Sequence, residues 1–453
     1  MDQQKKQAIV IGASIAGLCA AAVLSEHFDR VTIIERDAYP EGASDHRKGV
    51  PQGRHTHILL RAGETILENI FPNIMDELRQ KGARHFDATE GLLWFHYGKW
   101  KKKHCSGFMV HQQSRPLLEN QILKRLVNNP RITFLRGYAA KQLLWSQNKK
   151  TVTGLMVEPT RATAQMGKQA KTLKSELIID ASGRASILTK WLQKAAYETP
   201  KETRVGMDLQ YSSRVFQAPI TQIPTTQVNQ TDWQAFAVYP APPQETRGGV
   251  LFKVEENKYI LTLVGYIGDH PPKQNEGFLD FAKTLPVPDL YQQVKNLTPL
   301  SDVVIYRYPY ARRLHFENIK QHPQGIVALG DAVCSFDPVF GQGMSVALQE
   351  VELLQQQLQS GKWQEKRFYQ QVSKKLFLPW MLASMEDFRY PSVTGKRPVG
   401  LTMMQNYFKK IFLLSAKSEF VYAQLMRVFH MDVSPFILFS PTILWRMLFH
   451  FRK

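Results

Sequence analysis

The chain has 453 residues, of which 43% are hydrophobic and 21% charged, so wholesale disorder is excluded and two or three domains are expected. Fifty-eight Lys and Arg against 39 Asp and Glu leave a net charge of +19, which favours anionic partners: nucleic acid, an acidic membrane surface or a phosphorylated cofactor. Three scattered cysteines (Cys19, Cys105, Cys334) exclude a disulfide framework, no Cys/His cluster has zinc-ligand spacing, and a reducing compartment fits best.

Lys5-Lys6 before the apolar run Ala8–Leu24 imitates a secretory signal peptide, but small residues at fixed offsets and an acidic residue downstream argue for a folded core element and a cytoplasmic protein. Residues 8–13 (AIVIGA) read as a buried parallel strand, Ser14 to about Glu26 as a helix, and Val31–Glu35 as a second strand, which together make one βαβ unit. Residues 43–61 are a basic loop, and residues 91–112 a half-exposed antiparallel hairpin. A helix spans Arg115–Leu126, and a second hairpin covers 132–159, followed by a polar insertion at 160–173.

Leu177–Asp180 is another buried strand. From 204 to 312 strand signals dominate, giving a mainly antiparallel sheet domain. Trp233, Phe236 and Tyr239 recur every three residues, so they sit on a short helix or turn, or face both sides of a strand. Gly325–Leu329 then returns to the buried-strand pattern and Gly343–Leu358 to a long helix. The first domain is therefore discontinuous: 1–90 with 113–203 and 313–360, against 91–112 with 204–312 for the sheet domain. Residues 361–453 form a helical, aromatic and basic cap, and its last apolar stretch is too broken by Pro435, Pro441 and Arg446 to span a bilayer.

Two motifs carry the chemistry. Gly12-Ala13-Ser14-Ile15-Ala16-Gly17 has dinucleotide-fingerprint spacing: Gly12 for the tight turn, a small residue at 14 for close phosphate approach, Gly17 for helix–sheet packing. Unpaired N–H groups at the helix start would face the pyrophosphate. Glu35 ends the second strand where a carboxylate accepting ribose hydroxyls belongs, and it disfavours a 2′-phosphate, leaving FAD or NAD(H). The second motif, Gly330-Asp331 followed by Gly341-Gln342-Gly343 at the start of a helix, is a further half-site that an NAD-only enzyme does not need, and it selects FAD.

These residues, with Asp180…Gly183, resemble the FAD-dependent monooxygenases of the p-hydroxybenzoate hydroxylase fold. Arg47–His57 (RKGVPQGRHTH), Tyr211–Arg214 and the GDAVCSFDPVFGQGM block are similar to the branch of the lasalocid and monensin polyene epoxidases and, more distantly, squalene epoxidase. The resemblance covers most of residues 8–358. It implies a Rossmann-like α/β FAD-binding domain, a mainly antiparallel β-sheet substrate domain and a C-terminal helical region. It also implies contacts: Gly12, Ser14, Ile15, Ala16 and Gly17 at the pyrophosphate turn, Glu35 and Arg36 at the adenosine ribose, Arg47 near the flavin, Arg115 at the pyrophosphate. Asp331 would take the ribityl chain, Gly343 and Met344 would lie against the isoalloxazine, and Gly341 would be a further cofactor contact. Two departures stand out: Ser14 replaces a glycine, and Asp180-Ala181-Ser182-Gly183-Arg184 opens the family's Asp-Gly pair, which puts that pair's role with NADPH in doubt. The absence of a WxWxIP stretch counts against a halogenase.

The expected activity is epoxidation or hydroxylation of a hydrophobic small molecule through a flavin C4a-hydroperoxide, with the chemistry belonging to the cofactor and no catalytic acid or base nominated. NAD(P)H is the expected electron donor, directly or through a partner flavin reductase. Rival readings are a flavin reductase or dehydrogenase of prenyl-type double bonds and a non-catalytic or RNA-associated FAD-binding protein. No metal is expected; His55 and His57 would satisfy local hydrogen bonds or line the flavin cleft. No nucleic-acid-binding module is visible, so the basic, aromatic tail reads either as a packed lid or as a peripheral contact with the inner face of the membrane.

Overall fold

The computed structural model describes residues 5–37, 50–218 and 233–450. The apolar run after Lys6 folds as the strand Gln7–Ile11 and the helix Ile15–Ser25, both deeply buried, rather than standing apart as a leader. That strand is the centre of a five-stranded parallel sheet, flanked by Arg30–Glu35 and then Ile132–Arg136 on one side, and by Leu177–Asp180 and then Ile326–Ala328 on the other. The four strands other than Ile132–Arg136 are short, largely buried runs, packed in one core with the helix Ile15–Ser25 and with Leu143, Val152, Leu155 and Val157 of the adjoining antiparallel strands. The chain leaves the central strand between neighbours reached by opposite crossovers, and open α/β sheets bind ligands in the crevice outside such a switch point.

The expected hairpin over 132–159 is corrected here. Its first part, Ile132–Arg136, pairs in parallel with Arg30–Glu35, and the hairpin is Tyr138–Trp145 with Val152–Pro159. The polar insertion adds a third strand, Lys171–Lys174, to that hairpin. Gly137, at φ +74°, makes the corner between the two sheets.

The second unit is a nine-stranded mixed sheet built on the long strands Lys201–Gln217 and Val304–His315, with Lys258–Gly265, Arg247–Lys253 and Ala235–Val238 alongside. Within 91–112 only Leu92–His96 and Lys99–Trp100 form a hairpin. Leu92–His96 also pairs in parallel with Ala235–Val238 and is buried, whereas Met109–Gln112 pairs with Arg84–Asp87 in a separate ribbon. Trp233 and Phe236 pack with the helices Phe278–Lys283 and Asp289–Val294 on the outer face. Tyr239 faces the other way, into the cluster made with the C-terminal helices, so the three aromatics use both sides of the sheet.

Between Glu365 and His450 the chain is mainly helical, with a non-helical segment at 388–400. The helices Leu401–Ser415 and Glu419–Phe429 bury Phe408, Ile411, Phe412, Val421, Tyr422, Leu425 and Met426 against Trp94 and Ala237 of the sheet unit and Val110 of the ribbon. The tail is therefore a packed cap. Among the described residues no helix is long and apolar enough to cross a membrane.

Candidate functional site

The site forms where two helices start. Gly12, at φ +98°, turns the chain out of the central strand; a Cβ there would meet the Ala181 carbonyl oxygen at 2.6 Å, and one on Gly17 would meet the Gly12 carbonyl oxygen at 1.9 Å. The Ser14 hydroxyl does not cap the helix it precedes but bonds Glu119 Oε1 at 2.7 Å, and no acidic residue occupies the first turn. The helix Gly343–Gln359 likewise begins at Gln342 with no side-chain cap and no acid in its first turn. Both N-termini thus keep their N–H donors and positive dipole ends unspent toward one space.

Gly330, at φ +61°, packs the intervening turn against both helices, with a hypothetical Cβ 3.5 Å from Ala16 Cβ and 3.6 Å from Ala347 Cβ. A Cβ on Gly343 would instead find nothing nearer than Asp331 Oδ1 at 4.0 Å, so the cradle at that helix start is open.

That space is a cavity of about 400 Å³. Ser14, Ile15, Ala16, Arg115, Asp331 and Gly341–Met344 line one end of it. The other end is a chamber walled by Leu92, Trp94, Ala237, Tyr239, Val250 and Phe252 of the sheet, closed by Phe412, Met426 and Phe429 of the cap. The sequence places these cap residues more than 300 positions from Trp94, and no local signal marks them as site residues.

The expected contact residues fall as follows. Glu35 is buried, with Oε2 accepting the Ala13 N–H and Oε1 the Asp37 N–H, both at 2.9 Å, so its carboxylate sits at the fingerprint turn. Arg36 follows it at the exposed rim. Arg115 donates to Ser14 Oγ at 2.8 Å and to Glu119 Oε1 at 3.0 Å, and its Nη1 lies 3.4 Å from His57 Nε2. Burial and the Arg115 charge push His57 down to about 3, so the ring is neutral beside the guanidinium. Asp331 is raised by burial, opposed by Arg184, Arg115 and Arg312. Met344 is half-buried against the core around the parallel sheet, and Gly341 turns at φ +66°. Arg47 lies outside the described residues.

Sequence reasoning missed Glu119, which holds Ser14 and Arg115 in register; a Glu four residues after Arg115 on one helix is a helical ion-pair spacing that could have been read. His55 and His57 both line the cavity, with His55 Nδ1 2.7 Å from Ser213 Oγ and His57 Nδ1 3.0 Å from the His55 carbonyl oxygen. In the opened Asp-Gly segment, Asp180 binds its own loop through Ser182 and Ser186, while Arg184 reaches Ser335 at 2.9 Å and stacks 4.3 Å from the Tyr308 ring.

Two dipole ends, a carboxylate at each half-site, a guanidinium between them and an open glycine cradle suit a dinucleotide whose second half is a flat ring rather than a second nucleoside. The fold and site thus define a Rossmann-type flavoprotein with a sheet unit over the cofactor cleft.

The comparisons agree. Residues 7–267 match the model of the FAD dependent oxidoreductase family, and the chain belongs to it. Residues 250–378 match the squalene epoxidase model. Protein Rv3254 of Mycobacterium tuberculosis is 27% identical over 466 residues, covering 98% of this chain and 94% of that protein. Among solved structures, the flavin-dependent brominase Bmp2 superposes with a TM-score of 0.65 at 13% identity, covering 93% of this chain and 92% of that one. PqsL, a probable FAD-dependent monooxygenase of Pseudomonas aeruginosa, gives 0.60 at 12% identity, covering 85% of this chain and 95% of that one. At such identities the likeness is one of fold.

Proposed function

We propose that this FAD-dependent oxidoreductase is a monooxygenase, an epoxidase or hydroxylase that inserts one oxygen atom from O2 into a hydrophobic small molecule. One observation carries the reading: the cavity that starts at the two uncapped helix ends is the same cavity that ends in the apolar chamber under the cap. The squalene epoxidase match spans the Gly330–Met344 turn that joins the two ends, which agrees with it.

When bound, FAD supplies the electron transfer and the activation of O2. The chain's own residues bind and shield. The N–H groups from Ser14 to Ala16 and the Arg115 guanidinium hold the pyrophosphate, the Glu35 carboxylate accepts the ribose hydroxyls, and Asp331 accepts from the ribityl chain. Gly341 and Gly343, with Met344, leave a flat seat for the ring. Trp94, Tyr239, Phe412 and Phe429 exclude water from the chamber and present apolar surface to the substrate.

Reducing equivalents come from NAD(P)H, either docking transiently or passed on by a flavin reductase. Stopped-flow mixing with NADPH separates the two, because direct bleaching of the flavin means a self-sufficient enzyme. We further propose a cytoplasmic protein whose cap touches the inner face of the membrane. In support, Phe436, Trp445, Leu448 and Phe449 are exposed beside Arg446. Turnover of lipophilic alkenes under heavy-isotope O2 tests the central reading: one labelled oxygen atom in the product is expected. A product that has gained hydrogen and no label marks a double-bond reductase instead.

A further inference from the structure

The cap brings to the cavity one side chain that neither the cofactor end nor the aromatic walls account for. His430, just beyond the helix Glu419–Phe429, is 3% exposed and lines the cavity with its neighbour Phe429. It is pinned twice to the start of the helix Arg61–Ile70: its carbonyl oxygen accepts the Ala62 N–H at 3.1 Å, and its ring Nδ1 accepts the Arg61 N–H at 3.2 Å. Leu60, the preceding residue, donates its N–H to Ser345 Oγ at 2.9 Å, in the first turn of the helix that begins at Gly343. Two hydrogen bonds therefore separate the cap imidazole from the open glycine cradle.

These contacts fix the chemistry of the ring. A backbone N–H can only donate, so Nδ1 is the acceptor and the proton of the neutral imidazole sits on Nε2. Burial, opposed by Glu64 and Asp432 and helped by Arg61, pushes the ring down to about 4, so it is neutral at physiological pH. Neither carboxylate takes the Nε2 proton: Glu64 accepts from Arg61 and His111, and Asp432 from Arg427.

The two nitrogens lie on opposite edges of the imidazole, so Nε2–H points away from the helix start. Among the described residues it meets no acceptor, yet it keeps accessible surface, unlike the sealed Nε2 of His111 nearby. For a ring enclosed in the wall, that surface belongs to the cavity. His96 also lines the cavity, but among the described residues no hydrogen bond fixes which of its nitrogens carries the proton. A lone N–H in an apolar wall is unfavourable until an acceptor reaches it. A carbonyl oxygen satisfies it and brings no donor of its own. A hydrocarbon does not, and an ammonium offers only further protons.

We propose that the His430 Nε2–H binds a carbonyl oxygen of an otherwise lipophilic ligand in the chamber. Calling that ligand the substrate rests on the oxygenase reading; the contact itself does not.

The FAD-loaded protein equilibrated with dibutyl ketone or with nonane, and read by headspace partitioning, tests the contact without turnover. H430N keeps an oxygen for the Arg61 N–H but has no atom at the Nε2 position. It is expected to lose ketone affinity roughly tenfold while nonane affinity stays within about twofold. The carbonyl stretch of the bound ketone is expected at lower frequency in the parent than in H430N. In protein carrying isotope-labelled histidine, one imidazole Nε2–H resonance should shift with the ketone and stay in place with nonane. That spectrum needs no variant, so it decides if H430N fails to fold. No ketone binding, equal losses of both ligands in H430N, an unmoved carbonyl stretch, or no ketone-specific imidazole shift overturns the proposal. A ketone contact that holds while no product carries labelled oxygen removes the oxygenase reading and leaves the contact standing.

Discussion

Gly17 and Gly343 each lie at the start of a helix that opens on the same cavity, yet a side chain would act differently at each. At Gly17 a Cβ runs into backbone, the Gly12 carbonyl oxygen at 1.9 Å, so the turn itself must move. At Gly343 a side chain finds room in the absence of cofactor and occupies the seat the flavin needs. G343V is therefore expected to fold with a Tm within about 2 °C of the parent apoprotein but to lose FAD affinity by roughly 100-fold or more. G17V is expected to be poorly folded. Thermal melts with and without FAD check the pair, and a G343V protein that binds FAD normally would remove the helix from the site.

Arg115 and Glu119 lie on one helix, and both act on Ser14. R115A leaves the Glu119 carboxylate without its guanidinium and removes the charge assigned to the pyrophosphate. FAD affinity is expected to fall by roughly 10- to 100-fold, measured by fluorescence titration, whereas R115K recovers only part because a lysine cannot keep both bonds. An unchanged affinity in R115A would show that the guanidinium serves packing alone. What was legible at this scale is what is local: the small-residue turn, Glu35 and Gly330-Asp331 lie on contiguous runs whose residue types report backbone needs. The His57–Arg115 contact joins residues 58 positions apart, and nothing in either neighbourhood announces the partner.

Among elements, the cap is joined to the sheet by a buried lysine. Lys101 follows the short strand Lys99–Trp100, is 4% exposed, donates to the Phe412 carbonyl oxygen, and lies 5.2 Å from the Trp94 ring. Burial pushes its ammonium down to about 7 from 10.5. Because the folded pKa is the lower one, the unfolded chain binds more protons between about pH 7 and 10.5, and stability rises with pH through that window. K101M abolishes this term. Urea unfolding at pH 7 and pH 10 is expected to show the parent gaining on the order of 1–4 kcal/mol relative to K101M. Parallel behaviour of the two proteins would mean that water reaches the ammonium. The strand patterns gave the strands but not all of their pairings. Ile132–Arg136 reads equally well as a hairpin arm, and only the packing of the sheet decides that it lies beside Arg30–Glu35.

For the whole molecule, the charge of +19 and the apolar residues exposed between 436 and 449 act together. Binding to vesicles containing anionic lipid is expected, weakening with salt, with little binding to neutral vesicles; W445S/F449S should reduce it several-fold. Equal binding to neutral and anionic vesicles, or an unaffected double variant, would contradict a membrane role for the cap. Labelled RNA should not be retained at physiological salt. Composition pointed to an anionic partner without choosing among lipid, nucleic acid and cofactor, since net charge carries no geometry.

The central claim is that two sequence-distant helix starts, at Ser14 and Gln342, close around one FAD. Calorimetric titration of the apoprotein with FAD tests it most directly. Saturation is expected at one FAD per chain, with a yellow complex and with uptake abolished in G343V. A protein that is colourless when purified and takes up no added FAD would contradict it.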